Sequence, residues 1–123
     1  MNASTQLVQR LMEVGYVAAG NGYATQAEAI FAGVQAVRPE SEFPSIGLAV
    51  MQLNAGLCEV AVRTLEEEGL KRNPDSELVQ SFLGLALKLG GQSARSEQVL
   101  QQVISSGKDT QAVALARSLL QNN

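Results

Sequence analysis

The sequence predicts an all-α protein: three helix hairpins stacked in series and closed by a C-terminal helix. Three observations predict it. An apolar pattern returns at a period of 34 to 35 residues. It is set by Leu11, Val14, Gly15, Ala18, Ala27, Phe31, Val34 and Pro39. It comes back weakly as Leu48, Ala49, Ala61 and Leu65, then clearly as Leu83, Gly84, Leu87, Ser96, Leu100 and Val103. Glycines mark the same turn each time, at Gly22, Gly56 and Gly91. Between these marks apolar residues recur at helical spacing, and little suggests strands.

Seven helices are expected, at roughly 4–20, 23–37, 42–55, 57–72, 75–89, 92–106 and 109–121. The first ends in Gly20-Asn21-Gly22, residues that accept the positive φ a helix C-terminus needs. The second stops before Pro39. The third takes Pro44 in its first turn, where a missing N–H is harmless, and ends at Asn54-Ala55-Gly56. The fourth runs up to Asn73-Pro74. Asn73 before Pro74 reads as an N-cap followed by proline at the first position of the fifth helix. The fifth ends at Gly90-Gly91. The seventh carries Ala112, Val113, Ala116, Leu119 and Leu120 on one side, a narrow apolar face suited to closing a stack. The chain of 123 residues reads as one domain, with repeats at about 8–41, 42–75 and 77–108 and a cap at about 109–121. The middle repeat is degenerate: Ser45, Gln52, Glu68 and Asn73 occupy pattern positions, and its proline comes one residue late.

This spacing is that of the tetratricopeptide repeat, and the likeness implies a right-handed superhelix with a concave face. The first helix of each pair lines that face with residues beside the packing signature. The inward set is Met12 and Tyr16, then Phe43, Ile46, Val50 and Leu53, then Leu78, Leu85 and Leu89, with Lys88 near the rim. Ile46 to Met51 and Phe82 to Leu87 leave no polar face. A helix that is apolar all round must be buried, by the core or by a ligand. The groove reading expects an amphipathic helix as the occupant. The competing reading makes the same residues ordinary core of two central helices, and the two readings can divide the set between them.

Composition excludes several functions. The net charge is −3, and Lys71-Arg72 is the only basic pair. Nucleic acid or an anionic membrane would ask for a basic stripe. No segment reaches the ~18 apolar residues of a membrane span. The N-terminal residues lack a basic start and an apolar run, so no signal peptide is read and a cytoplasmic home is expected. There is no histidine. Cys58 is single and reads as a structural thiol. Glu66-Glu67-Glu68 reads as a solvated helix face rather than a catalytic carboxylate pair. No metal, cofactor or small-molecule substrate is expected, and the chain is not read as an enzyme. Repeat adaptors that grip a C-terminal carboxylate place Lys, Asn and Arg on the inner face. The corresponding positions here are Met12, Tyr16, Gly47, Leu78 and Phe82, none of which holds a carboxylate.

A short acidic chain with three such repeats, a degenerate middle one and a greasy groove resembles the needle-subunit chaperones of bacterial type III secretion (the YscG/PscG/EscG type). Leu11 to Pro39, Ile46 to Leu57 and Leu83 to Val103 carry the likeness. The resemblance implies that the groove takes the amphipathic C-terminal helix of the needle subunit and prevents its premature polymerisation. It also implies a small helical co-chaperone on the first two helices, around Leu7, Leu11, Val14 and Tyr23, forming a heterotrimer. Two other functions fit the same repeats: a chaperone of translocator proteins, and a general interaction scaffold.

Overall fold

The computed structural model describes residues 5–121. The N-terminal residues read for a signal peptide lie partly outside these. Among the described residues there are seven helices and no strand: α1 (Thr5–Gly20), α2 (Ala24–Val37), α3 (Phe43–Asn54), α4 (Cys58–Thr64), α5 (Glu77–Leu89), α6 (Ser93–Ser106) and α7 (Thr110–Gln121). Helix α4 runs directly into a π-helical segment, Leu65–Leu70.

The three turns marked by glycines share one backbone geometry. Gly22, Gly56 and Gly91 have φ of +82°, +78° and +85°. The N–H of the following residue reaches back five residues in each case: Tyr23 to the Ala18 carbonyl, Leu57 to Gln52 and Gln92 to Leu87, all at 2.8 Å. This 6→1 bond closes a helix whose last residue has turned left-handed, which glycine does without steric cost. The turn between α6 and α7 differs: Gly107, at φ +57°, donates to the Val103 carbonyl at 2.9 Å.

Phe31 to Leu65 spans 34 residues and Leu65 to Leu100 spans 35. The extra residue falls within or just after the π-helical segment that starts at Leu65. A π turn is the means by which a helix absorbs one inserted residue. The late proline of the middle repeat and the irregular fourth helix therefore have one cause. Gly69 lets this wider turn seat against its neighbours: a Cβ there would lie 2.8 Å from Val79 Cγ1.

The start of α5 departs from expectation. Asn73 is not its cap; its side-chain amide donates to the Glu40 carbonyl at 3.0 Å and ties two inter-repeat loops together. The cap is Ser76, whose Oγ accepts from the Val79 N–H at 3.1 Å while its hydroxyl donates to the Glu42 carboxylate.

Each odd helix touches the next odd helix (α1 to α3, α3 to α5, α5 to α7), and consecutive helices pack on each other. Among the described residues the backbones of α2 and α4 do not come close, and the fourth helix meets α6 through side chains, with Arg95 of α6 paired to Glu66 of the π-helical segment. Three core clusters follow the chain: one around Met12, Ala27, Phe31 and Val34, a central one around Ile46, Leu65, Val79, Leu83 and Leu87, and a C-terminal one around Leu100, Val103, Ala112 and Ala116. Small residues on odd helices receive large ones from even helices. A Cβ on Gly84 would sit 2.4 Å from Leu100 Cδ2, and one on Gly15 would sit 2.6 Å from Phe31 Cε1.

Helix α5 holds α7 by its backbone at three levels. The Glu77 carboxylate accepts from the Lys108 and Asp109 N–H groups, at 2.9 Å and 2.8 Å. The Ser81 hydroxyl donates to the Ala112 carbonyl at 2.9 Å, and Lys88 Nζ donates to the Leu119 carbonyl. An anion thus meets the N-terminal end of α7 and a cation its C-terminal end, as the helix dipole favours. The Asp109 N–H, foremost, holds the Glu77 carboxyl below the ordinary carboxylate value; burial opposes this, and the Lys108 N–H adds to it. A depressed folded value means that the stabilisation is present above the unfolded carboxyl pKa and is lost as pH falls through the folded one. Acidification is therefore expected to lower the protection of the Lys108 and Asp109 amides, measured against their intrinsic exchange rates at each pH. Glu77→Gln, which cannot ionise, flattens that pH dependence; an unchanged profile in the variant contradicts the assignment.

Candidate functional site

Two members of the inward set are core instead. Met12 is 5% exposed and Ile46 is 2% exposed. Ser81, at the same position of the third repeat, is also fully buried. The reason is the direct contact between successive odd helices, which closes a seam over these positions. Sequence spacing gives a side chain's direction on its own helix but not how closely the next helix approaches.

Tyr16 is half-buried. Its ring is tilted 54° to that of Phe31 with centroids 5.6 Å apart, and its hydroxyl donates weakly to the Phe43 carbonyl at 3.4 Å. Burial, and secondarily the Glu42 charge, push the phenol up to about 12. Absorbance titration should show one tyrosine ionising only near pH 12, a phase that Tyr16→Phe removes. A variant that keeps that phase shows the proton to be elsewhere.

Val50 and Leu53 of α3 and Leu78 and Phe82 of α5 are half-buried and pack against the central cluster. Leu78 also touches the C-terminal cluster, so it joins the second hairpin to the cap. Two residues of the set are exposed, and a third stands outside the clusters. Phe43 at the start of α3 is exposed, and Leu89 at the end of α5 is 58% exposed. Leu85 is half-buried yet belongs to none of the three clusters. The rim residue Lys88 has its ammonium engaged on α7. This surface offers apolar contact and almost no fixed charge, which suits the apolar face of a helix.

A second apolar surface lies on the first two helices. Leu7, Val14 and Tyr23 are exposed, while Leu11 is half-buried against the N-terminal cluster. Sequence reading missed Val17, the most exposed large apolar residue at 63%. Its signal was present: Val17 follows Val14 by three residues, and Val14 follows Leu7 by seven, so they share one helix face. Single exposed apolar residues are ordinary; three on one face are a patch.

Among the described residues no helix is long and apolar enough to cross a membrane. No match was found among curated proteins. The family model HrpB1_HrpK, described as a bacterial type III secretion protein, matches residues 1–123. That match runs over every helix and both apolar surfaces described above, so the chain belongs to the HrpB1_HrpK family of bacterial type III secretion proteins.

Proposed function

We propose that the chain is a tetratricopeptide-repeat-like right-handed superhelix that serves type III secretion as a chaperone. It takes the amphipathic C-terminal helix of the needle subunit on the apolar surface of α3 and α5 and prevents premature polymerisation. The observation that carries this reading is the open edge of α5, where Leu85 and Leu89 stand outside every core cluster. Support for the superhelix comes from the three matching glycine turns and from contacts confined to near neighbours along the stack. Each 100 Å2 of apolar area covered is worth about 2.5 kcal/mol. Phe43, Val50, Leu53, Leu78, Leu85 and Leu89 form the surface; Met12 and Ile46 act beneath it as core. Tyr16 braces its N-terminal edge through Phe43. A small helical co-chaperone covers the α1 patch of Leu7, Leu11, Val14 and Tyr23, extended by Val17, to make a heterotrimer. The work is binding in the bacterial cytoplasm, with no reaction catalysed and no cofactor.

The test is co-expression with a type III needle subunit, followed by size exclusion and light scattering. The expected result is a discrete complex holding the subunit as a monomer. Subunit that polymerises equally fast with and without the chain contradicts the proposal.

A further inference from the structure

Helices α2 and α4 both pack on α3, and among the described residues their backbones do not come close to each other. Beside α2 run two concavities of about 480 and 310 Å3, which share Glu28. Ala24, Glu28, Ala32 and Ala36 line them at helical spacing, so the groove follows one face of α2 for about three turns, roughly 18 Å. Its floor is mostly apolar, with Pro44 and Leu48 at one end and Met51 and Leu57 at the other, where the uncharged Gln52 and Asn54 also line it.

The far rim is where the middle repeat breaks its pattern. Glu68 occupies the position held by Val34 in the first repeat and Val103 in the third, both fully buried. The π-helical segment carries Glu68 into the open, where it lines the groove opposite Gln35 and Ala36. No lysine or arginine lines either concavity. Glu28 and Glu68 are both exposed, and among the described residues neither side chain makes an ion pair. A groove with a floor of small and apolar residues and carboxylates for its only charges selects a cationic occupant with a narrow apolar face. The alanines admit close approach of another helix.

We propose that this groove docks a short cationic amphipathic helix of a partner protein, about three turns long, with basic side chains meeting Glu28 and Glu68. This surface is separate from the α3–α5 surface of the proposed chaperone function and does not depend on that reading.

The test uses the isotope-labelled full chain and a synthetic helical peptide of about 14 residues, built of alanine and leucine with two lysines. A counterpart peptide carries glutamate in place of lysine. The lysine peptide is expected to shift, saturably, the amides of α2 and of residues 65–70, and to weaken as salt rises. The glutamate peptide and the Ala32→Arg variant should each bind at least ~10-fold more weakly. Ala32 is exposed, so the variant should keep its helicity; if it does not, Glu68→Lys, also at an exposed site, replaces it in the comparison. Equal binding of the two peptides, shifts confined to α3 and α5, or no saturable shift overturns the proposal. Concentration-dependent shifts of the same amides without peptide would make the occupant a second copy and overturn it too.

Discussion

Phe31→Ala is expected to remove about 3–5 kcal/mol of folding stability, the largest effect of any single truncation in the chain. The ring is 1% exposed and lies between two backbones. A Cβ on Gly15 of α1 would come within 2.6 Å of it, and one on Gly47 of α3 within 2.5 Å. Truncation opens a void that helix backbones, not pliable side chains, would have to fill. A loss of this size rivals the total of a marginal domain, about 5–15 kcal/mol. It should also be local. Contacts run only between near neighbours, so α1 and α2 should lose amide protection while α5 to α7 keep theirs. Hydrogen exchange in mild denaturant reads both parts. A small loss, or one spread evenly over all seven helices, would show that Phe31 is not the local keystone.

Phe31, Leu100 and the three turn glycines were legible in the sequence because each answers a local demand. A left-handed turn needs glycine, and a large side chain needs a small one opposite. Helix ends were legible to within a residue or two for the same reason. What was not legible depends on how elements approach one another. Met12 and Ile46 point as the spacing says, but the next odd helix closes over them. Asn73-Pro74 has the composition of a helix start, yet Ser76 takes that role because its hydroxyl reaches both Val79 and Glu42. The one-residue lengthening of the period was visible, but only the fold shows it taken up as a π turn that turns Glu68 outward. The hold of α5 on α7 uses backbone groups of α7, which leave no pattern in its sequence.

On the proposed chaperone function, Leu85→Asp is expected to abolish binding of the needle-subunit helix while leaving the free chain folded. A carboxylate pressed under an apolar helix costs several kcal/mol, so affinity should fall by ~100-fold or more. Leu89→Asp should act the same way, since that side chain is the most exposed of the set. The contrast is Val50→Asp. Val50 packs on the central cluster, so a charge there strikes the core as well as the surface and should lower the melting temperature. Glu67→Ala, on the solvated face of the π-helical segment, should change neither binding nor stability.

The chaperone reading rests on the edge of α5 being a binding surface rather than unfinished core. Titration calorimetry of Leu85→Asp with the needle subunit, paired with circular dichroism of the free variant, tests this most directly. The account predicts a wild-type helical spectrum and melting temperature together with lost binding. Binding at wild-type affinity, or a free variant that no longer folds, would contradict it.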